Sequence, residues 1–493
     1  FILVRDSTST LSSPPTYEKC QPPSSIRLPT FLCSGFLNSV IVKFFAYSHV
    51  EMVVPSHFLL TVFSVAAQTK VVKTSNGFEL QRNGKPYYIK GVGGDVNMEK
   101  IVAIGANSVR TWGVERAQEV LDEAQRNGLT VMLGLWVQHE RHGFDYNNQE
   151  KVAKQLAYFK TVIDRFKNHP ALLIWGVGNE VDLNYTNPNV WNAIQDIAKY
   201  IHDTDPNHPT TTVTAGLDSL EVAFITARCP DIDIYSINTY GDIGNVPNHI
   251  AKFGWNGPYM ITEWGPNGHW ESPQTKWGVS IEQNSTEKKE VYYHRYKNYI
   301  EKNTNTCLGS YAFLWGAKQE YTETWYGLFS KNNIPTEPID ALEEVFTGNA
   351  LTNPAPTILN FQVDQQKATD NIELKSGGIF DANINIQLAE NANMEKASYH
   401  WRIMEESTDK KSGGDVEDAA SEITGLIKKT SQKNLIKFRA PQNAGAYRLF
   451  VSVTYQNKMA YANIPFKVIA RGADEPQGKF IEFKYTDMNN FNE

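Results

Sequence analysis

The stretch LLIWGVGNE, running from Leu172 to Glu180, constrains the fold of this chain more than any other. Leu, Leu, Ile and Trp in succession leave no polar face. The strand they predict is therefore covered on both sides, as in a parallel sheet wrapped by helices. It ends abruptly in Asn179 and Glu180, an amide and a carboxylate at the strand end where α/β barrels keep their chemistry. A second apolar run, PYMITEWG from Pro258 to Gly265, behaves in the same way and carries Glu263 near its end.

These two runs belong to a longer rhythm. From about Gly77 to Gly348 strand-like and helix-like segments alternate, as in a parallel sheet. The expected strands are 87–94, 106–113, 130–137, 172–179, 210–216, 232–240, 258–264 and 309–315. Between them lie amphipathic stretches at 115–128, 152–166, 190–203, 286–303 and 339–348. The first places Ala117, Val120, Leu121 and Ala124 on one face and stops at Gly128, a C-cap signal. The stretch at 286–303 opens with Thr286 as its expected cap. A complete (β/α)8 barrel over 77–348 is the economical reading. The competing open, doubly wound sheet wants a glycine fingerprint after its first strand, and KGVGGD at 90–95 lacks that spacing. Past the linker NPAPT the pattern changes to period-2 alternation, at 384–390, 396–405, 435–441, 447–455 and 462–470. That predicts an antiparallel β-sandwich over 355–470 with a polar tail at 471–493.

The first 67 residues read as a leader. Met52 opens an apolar run from Phe58 to Ala67 that ends in the small pair Ala66 and Ala67, the texture of a secretory segment. Translation is expected to start at Met52, with cleavage near Ala67 and residues 1–51 as upstream read-through. The apolar core is well short of the roughly 20 residues a spanning helix needs, so no stable membrane insertion is expected. Sequons at Asn184 (NYT) and Asn284 (NST) agree with secretion. Cys20 and Cys33 fall in the leader, which leaves Cys229 and Cys307 without the spacing of a disulfide framework or a metal site. A net charge of −7 and the lack of a basic patch argue against a nucleic-acid partner.

Two glutamates at two strand ends are what a two-carboxylate glycosidase requires. The span between Glu180 and Glu263 leaves room for the intervening βα units and places them on the fourth and seventh strands. Glu180 is expected to keep its proton near neutral pH, through burial or a nearby carboxylate, in order to protonate a departing sugar oxygen. Asn179 beside it is placed to hydrogen-bond a sugar 2-hydroxyl. Glu263 must attack as a carboxylate, with Arg110 near the end of strand two as its cation. Tyr240 and Asn238 at the end of strand six are expected to support it. Trp315, ending strand eight, offers an apolar face for a pyranose ring.

The ordered set of Arg110, Asn179–Glu180, Tyr240, Glu263 and Trp315 resembles glycoside hydrolase clan A. Within that clan, WGVGNE and INTY resemble the catalytic barrel of family 2, with family 5 a near relative. The resemblance covers about residues 77–348. It implies a retaining mechanism with Glu180 as acid/base, Glu263 as nucleophile and carboxyl groups about 5–5.5 Å apart. The segment ahead of strand one is too short for the β-domains that precede the barrel in family 2, and here the sequence departs from that pattern.

Two loops are aromatic-rich. WVQHERHGFDYNN after strand three offers Trp136, His139 and His142 for substrate contact, and WGPNGHW after strand seven offers Trp264, His269 and Trp270. Neither matches a metal-ligand spacing, and the chemistry calls for no metal or other cofactor. Such loops carry specificity, and their aromatic content points to an oligo- or polysaccharide, a β-glucan or relative, as the partner. A cell-wall glucan transglycosylase would use the same residues with a sugar as acceptor. A non-catalytic sugar-binding barrel is the reading of another class.

Overall fold

The computed structural model describes residues 67–411 and 413–472. The expected leader, with Cys20 and Cys33, and the tail beyond residue 472 lie outside the described residues.

Eight parallel strands close into a barrel in sequence order. They are Ile89–Gly93, Ser108–Arg110, Thr130–Leu135, Leu172–Val177, Thr210–Ala215, Ile234–Asn238, Tyr259–Trp264 and Cys307–Ala312. Every residue of strand four is buried, as its unbroken apolar run requires. Helices wrap the outside. Ala117–Arg126 buries Ala117, Val120, Leu121 and Ala124, the expected stripe. The helix Ser285–Arg295 is capped by Asn284 and not by Thr286: the Asn284 side chain accepts from the backbone N–H of Thr286 and Glu287, and Glu287 returns the bond. This capping box outcompetes a threonine cap two residues later. The α-helix ends at Arg295, and the helical path continues through a π turn at Tyr296–Ile300 and a 3-10 turn at Glu301–Asn303, so it reaches the expected 303. Short helices at Met98–Ala103, Ser219–Arg228 and Val246–Lys252 carry too few apolar turns to announce themselves by periodicity.

Ahead of the barrel, Thr69–Thr74 and Gly77–Arg82 pair as an antiparallel hairpin. Leu80 buries itself against Ile89, Met132, Ile174 and Met260 in the barrel interior, and Arg82 donates to the carbonyl of Leu172 at the start of strand four. The hairpin thus plugs the amino end of the barrel and leaves the carboxyl end open.

The C-terminal part forms two sheets. Thr357–Val363, Ile379–Gln387, Leu435–Arg439 and Ile427–Lys429 make one; Glu373–Lys375, Lys458–Ile469, Gly445–Tyr455, Ser398–Glu405 and Glu422–Ile423 make the other. All pairings are antiparallel except that of Glu373–Lys375 with residues 467–469. Ile384, Phe438, Leu449 and Phe466 are among the residues of their shared core. The domain is tied to the barrel by buried polar groups. Lys288 meets Glu282 at 2.6 Å, Asn463 donates to Glu282 at 2.6 Å, and Arg448 donates to Asn463 and to the Ser280 carbonyl, each at 2.7 Å. Burial acts to raise the Glu282 carboxyl, but Lys288, with Thr322 and Arg448, holds the group below its ordinary value. Buried charges of this kind persist only when paired and hydrogen-bonded.

Candidate active site

A cavity of about 890 Å³ opens at the carboxyl end of the barrel, and both Glu180 and Glu263 line it with Asn179, Asn238 and Tyr240. Parallel strands ending in polar residues produce this convergence, because every strand delivers its last side chains to the same mouth. Gly178 and Glu180 both adopt positive φ, at 80° and 47°. The Glu180 backbone N–H is meanwhile secured to the Val213 carbonyl at 2.8 Å. A left-handed glutamate costs free energy, and such strain is held where a side chain must be aimed.

Arg110 anchors the floor. Its Nη1 donates to Glu263 Oε1 at 3.0 Å and to the Thr262 carbonyl at 2.7 Å, and its Nη2 donates to Asn179 Oδ1 at 2.5 Å. The guanidinium is 1% exposed, so this pair acts in a low-dielectric setting where ion pairing is strong. Glu263 receives two more donors, Trp112 Nε1 at 2.8 Å on Oε1 and the Tyr240 hydroxyl at 3.0 Å on Oε2. Burial, and then the charge of Glu263, raise the Tyr240 hydroxyl well above its ordinary value, so it stays a donor. Asn238 ties the two carboxylates together. Its Nδ2 donates to Glu180 Oε1 at 2.8 Å, and its Oδ1 accepts from Thr262 at 2.9 Å and Arg110 at 3.3 Å. Asn179 has its carbonyl oxygen taken by Arg110 and Asn238, which leaves its NH2 for the cavity. Burial, followed by the negative charge of Glu263, pushes Glu180 up to about 7. One carboxyl therefore holds its proton to a higher pH than an ordinary glutamate, beside another that is ringed by donors, an arrangement suited to acid/base work.

The aromatic positions divide. Trp136, His269 and Trp270 line the cavity, and Trp270 is 58% exposed. Trp315 does not: it is buried, its indole N–H donates to the Val96 carbonyl at 2.6 Å, and its ring meets the edge of Phe329. Strand eight ends at Ala312 instead of reaching residue 315, and Phe313 and Leu314 take the lining positions. Trp264 is also core, fully buried against Tyr292 and Tyr296. His139 and His142 stand behind the wall and do not line it. His139 is buried against the Trp136 ring at 4.8 Å and accepts from Arg141, while His142 meets Asp415 at 3.1 Å. Burial, reinforced by the charges of Arg141 and His142, lowers His139 to about 4.

Several lining residues were not anticipated from sequence. Trp112 was within reach of it, two positions after Arg110 in RTWG. Lys318 and Glu320, paired at 2.7 Å, come from the irregular segment after strand eight, and Lys410, Lys411, Gly413 and Gly414 come from the C-terminal domain. No periodicity marks either segment.

A closed parallel barrel with paired glutamates on strands four and seven defines the glycoside hydrolase clan A architecture. Residues 78–268 of that barrel match the family described as "Glycosyl hydrolases family 2, TIM barrel domain". The chain is 26% identical over 179 residues to a β-glucuronidase of Chlorocebus aethiops, covering 32% of this chain and 26% of that protein. It is 25% identical over 132 residues to mannan endo-1,4-β-mannosidase F of Aspergillus clavatus, covering 23% and 30%. The chain thus spans less than a third of the length of these curated relatives. Among solved structures, a Bifidobacterium dentium β-glucuronidase complexed with coumarin-3-O-glucuronide aligns with a TM-score of 0.43 at 21% identity, covering 57% of this chain and 49% of that one.

Proposed function

We propose that the chain is a retaining β-glycoside hydrolase acting on a β-glucan or related β-linked polysaccharide. One observation carries the reading: Glu180, raised to about 7, shares a single cavity with Glu263, which accepts from Arg110, Trp112 and Tyr240. Glu263 attacks the anomeric carbon while Glu180 gives its proton to the leaving oxygen, and a glycosyl ester forms on Glu263. Water then attacks that ester as Glu180, now a carboxylate, takes its proton, and Glu263 leaves unchanged. Asn179 holds the 2-hydroxyl through the NH2 left free by its doubly bonded oxygen. The β-linkage agrees with the two relatives, both named as β-glycosidases. Trp136 and the exposed ring of Trp270 provide stacking faces for more than one sugar. We place the working protein outside the cell, in keeping with the apolar segment at 52–67 and the exposed sequon asparagine Asn184.

The test is turnover of 4-nitrophenyl β-glucoside, β-mannoside, β-galactoside and β-glucuronide, with the anomer first released read by proton NMR and transfer products sought on an oligosaccharide series. Release of the β-anomer and a loss of at least about a thousandfold in Glu263→Gln are expected. An α-anomer first, or a Glu263→Gln variant as active as its parent, would overturn the mechanism.

A further inference from the structure

We propose that residues 407–411 and 413–418 of the C-terminal domain form one wall of the substrate cleft, with Lys410 the side chain on that wall that hydrogen-bonds the bound sugar. This rests on the glycosidase reading above and deepens it, since it makes the C-terminal domain part of the active site instead of a brace or a separable binding module.

The cavity that holds Glu180 and Glu263 is bounded on one side by Lys410, Lys411, Gly413 and Gly414. The segment is fastened to the barrel at two points. Asp415 is gripped by Arg141, Nη1 to Oδ2 at 2.6 Å and Nη2 to Oδ1 at 3.1 Å, with His142 adding a third contact at 3.1 Å. Bidentate pairs of this kind fix geometry as well as supplying energy. Two residues on, Glu417 accepts from the Tyr321 backbone N–H at 2.6 Å with one oxygen and from that of Lys411 at 3.0 Å with the other. The approach is close. A Cβ on Gly413 would lie 2.5 Å from Leu183 Cδ2, and Gly413 and Gly414 take φ of +64° and +71°, which glycine adopts without steric cost.

Lys410 differs from its neighbours. Lys318 is paired with Glu320 at 2.7 Å and Lys411 with Asp409 at 3.2 Å. Lys410 forms no ion pair among the described residues. Its ammonium sits 4.4 Å from the Tyr321 ring centroid and donates to that residue's hydroxyl at 3.1 Å. An ammonium has three donors, so two remain for acceptors in the cavity. The ring of Trp270, which stands on the neighbouring His269 face, lines the same cavity. A stacking ring beside unspent N–H donors is chemistry for sugar hydroxyl oxygens.

The experiment uses whichever 4-nitrophenyl β-glycoside the parent turns over, with kcat, KM and thermal midpoint measured for Lys410→Met, Lys410→Arg and Asp415→Ala. Lys410→Met should raise KM about tenfold, the loss expected of one charged hydrogen bond, with kcat within about twofold and the midpoint unmoved; Lys410→Arg should recover most of that loss. Asp415→Ala, which releases the wall, should raise KM as well. A KM for Lys410→Met or Asp415→Ala equal to the parent's, or a loss that appears only as a lower midpoint, overturns the wall while leaving the glycosidase reading in place. A parent silent on every glycoside overturns that reading and the wall with it.

Discussion

Asn238 donates its side-chain amide to the Glu180 carboxyl across 2.8 Å, from a strand that is not a direct neighbour of strand four in the barrel. Through its carbonyl oxygen the same residue accepts from Arg110, which in turn holds Glu263. The amide therefore sits between the two carboxylates and stabilises the charged form of Glu180, working against the burial that raises it. Removing that donor in Asn238→Ala should lift Glu180 further, and the limb of kcat/KM that falls with loss of the acid's proton should move from about 7 to higher pH. A pH–rate profile checks this; a limb that stays in place or moves downward is the result the argument does not survive.

The donors on Glu263 can be separated. Tyr240→Phe deletes a bond to Oε2, and Trp112→Phe deletes one to Oε1 while keeping a ring beside Phe313. A hydrogen bond to a charged group is worth roughly 1.5–3 kcal/mol, so each variant should lose about ten- to a hundredfold in kcat. Burst and steady-state kinetics on an activated aryl glycoside would read the loss. Undiminished kcat in both variants would mean that neither donor acts on the reacting carboxylate.

The barrel was legible because strand-like and helix-like segments alternate along it, and because strand four, Leu172–Val177, is an unbroken apolar run of the kind burial on both faces demands. Glu180, Glu263, Arg110, Asn238 and Tyr240 were found by the same logic, since a closed barrel brings all its strand ends to one mouth. Trp315 and Trp264 were misjudged because aromatic identity does not say which way a ring turns where a strand stops: Ala312 ends strand eight, and Trp264 faces the helix carrying Tyr292. Lys410 gave no signal at all. Its place depends on how a turn-rich segment of one domain settles against another, which Asp415 and Arg141 decide across 274 residues of chain.

Trp315 offers a direct check on that correction. With its indole N–H on the Val96 carbonyl and its ring on Phe329, Trp315→Phe should cost about 1–3 kcal/mol of stability from the lost bond and the unfilled volume. Denaturant midpoints should fall while KM stays within about twofold. A large rise in KM at unchanged stability would return the ring to the substrate.

Glu337 links pH to stability where barrel and C-terminal domain meet. It is fully buried, accepts from Thr286 at 2.7 Å and Ser285 at 2.8 Å, and burial, only partly offset by those hydroxyls, raises it from an ordinary 4.5 to about 7. Between those two values the folded chain holds a proton that the unfolded chain has released. The contribution is therefore complete below 4.5 and is lost as pH rises through 7. The shift corresponds to about 3 kcal/mol at most. Glu337→Gln keeps an acceptor and cannot ionise, so the parent should lose stability relative to the variant as pH climbs from 4.5 to above 7. Glu180, raised for related reasons, contributes equally to both proteins and cancels from the difference. Urea unfolding at a series of pH values gives that difference directly. A flat curve, or one that favours the parent at high pH, would show that Glu337 does not enter the folded state as a neutral acid.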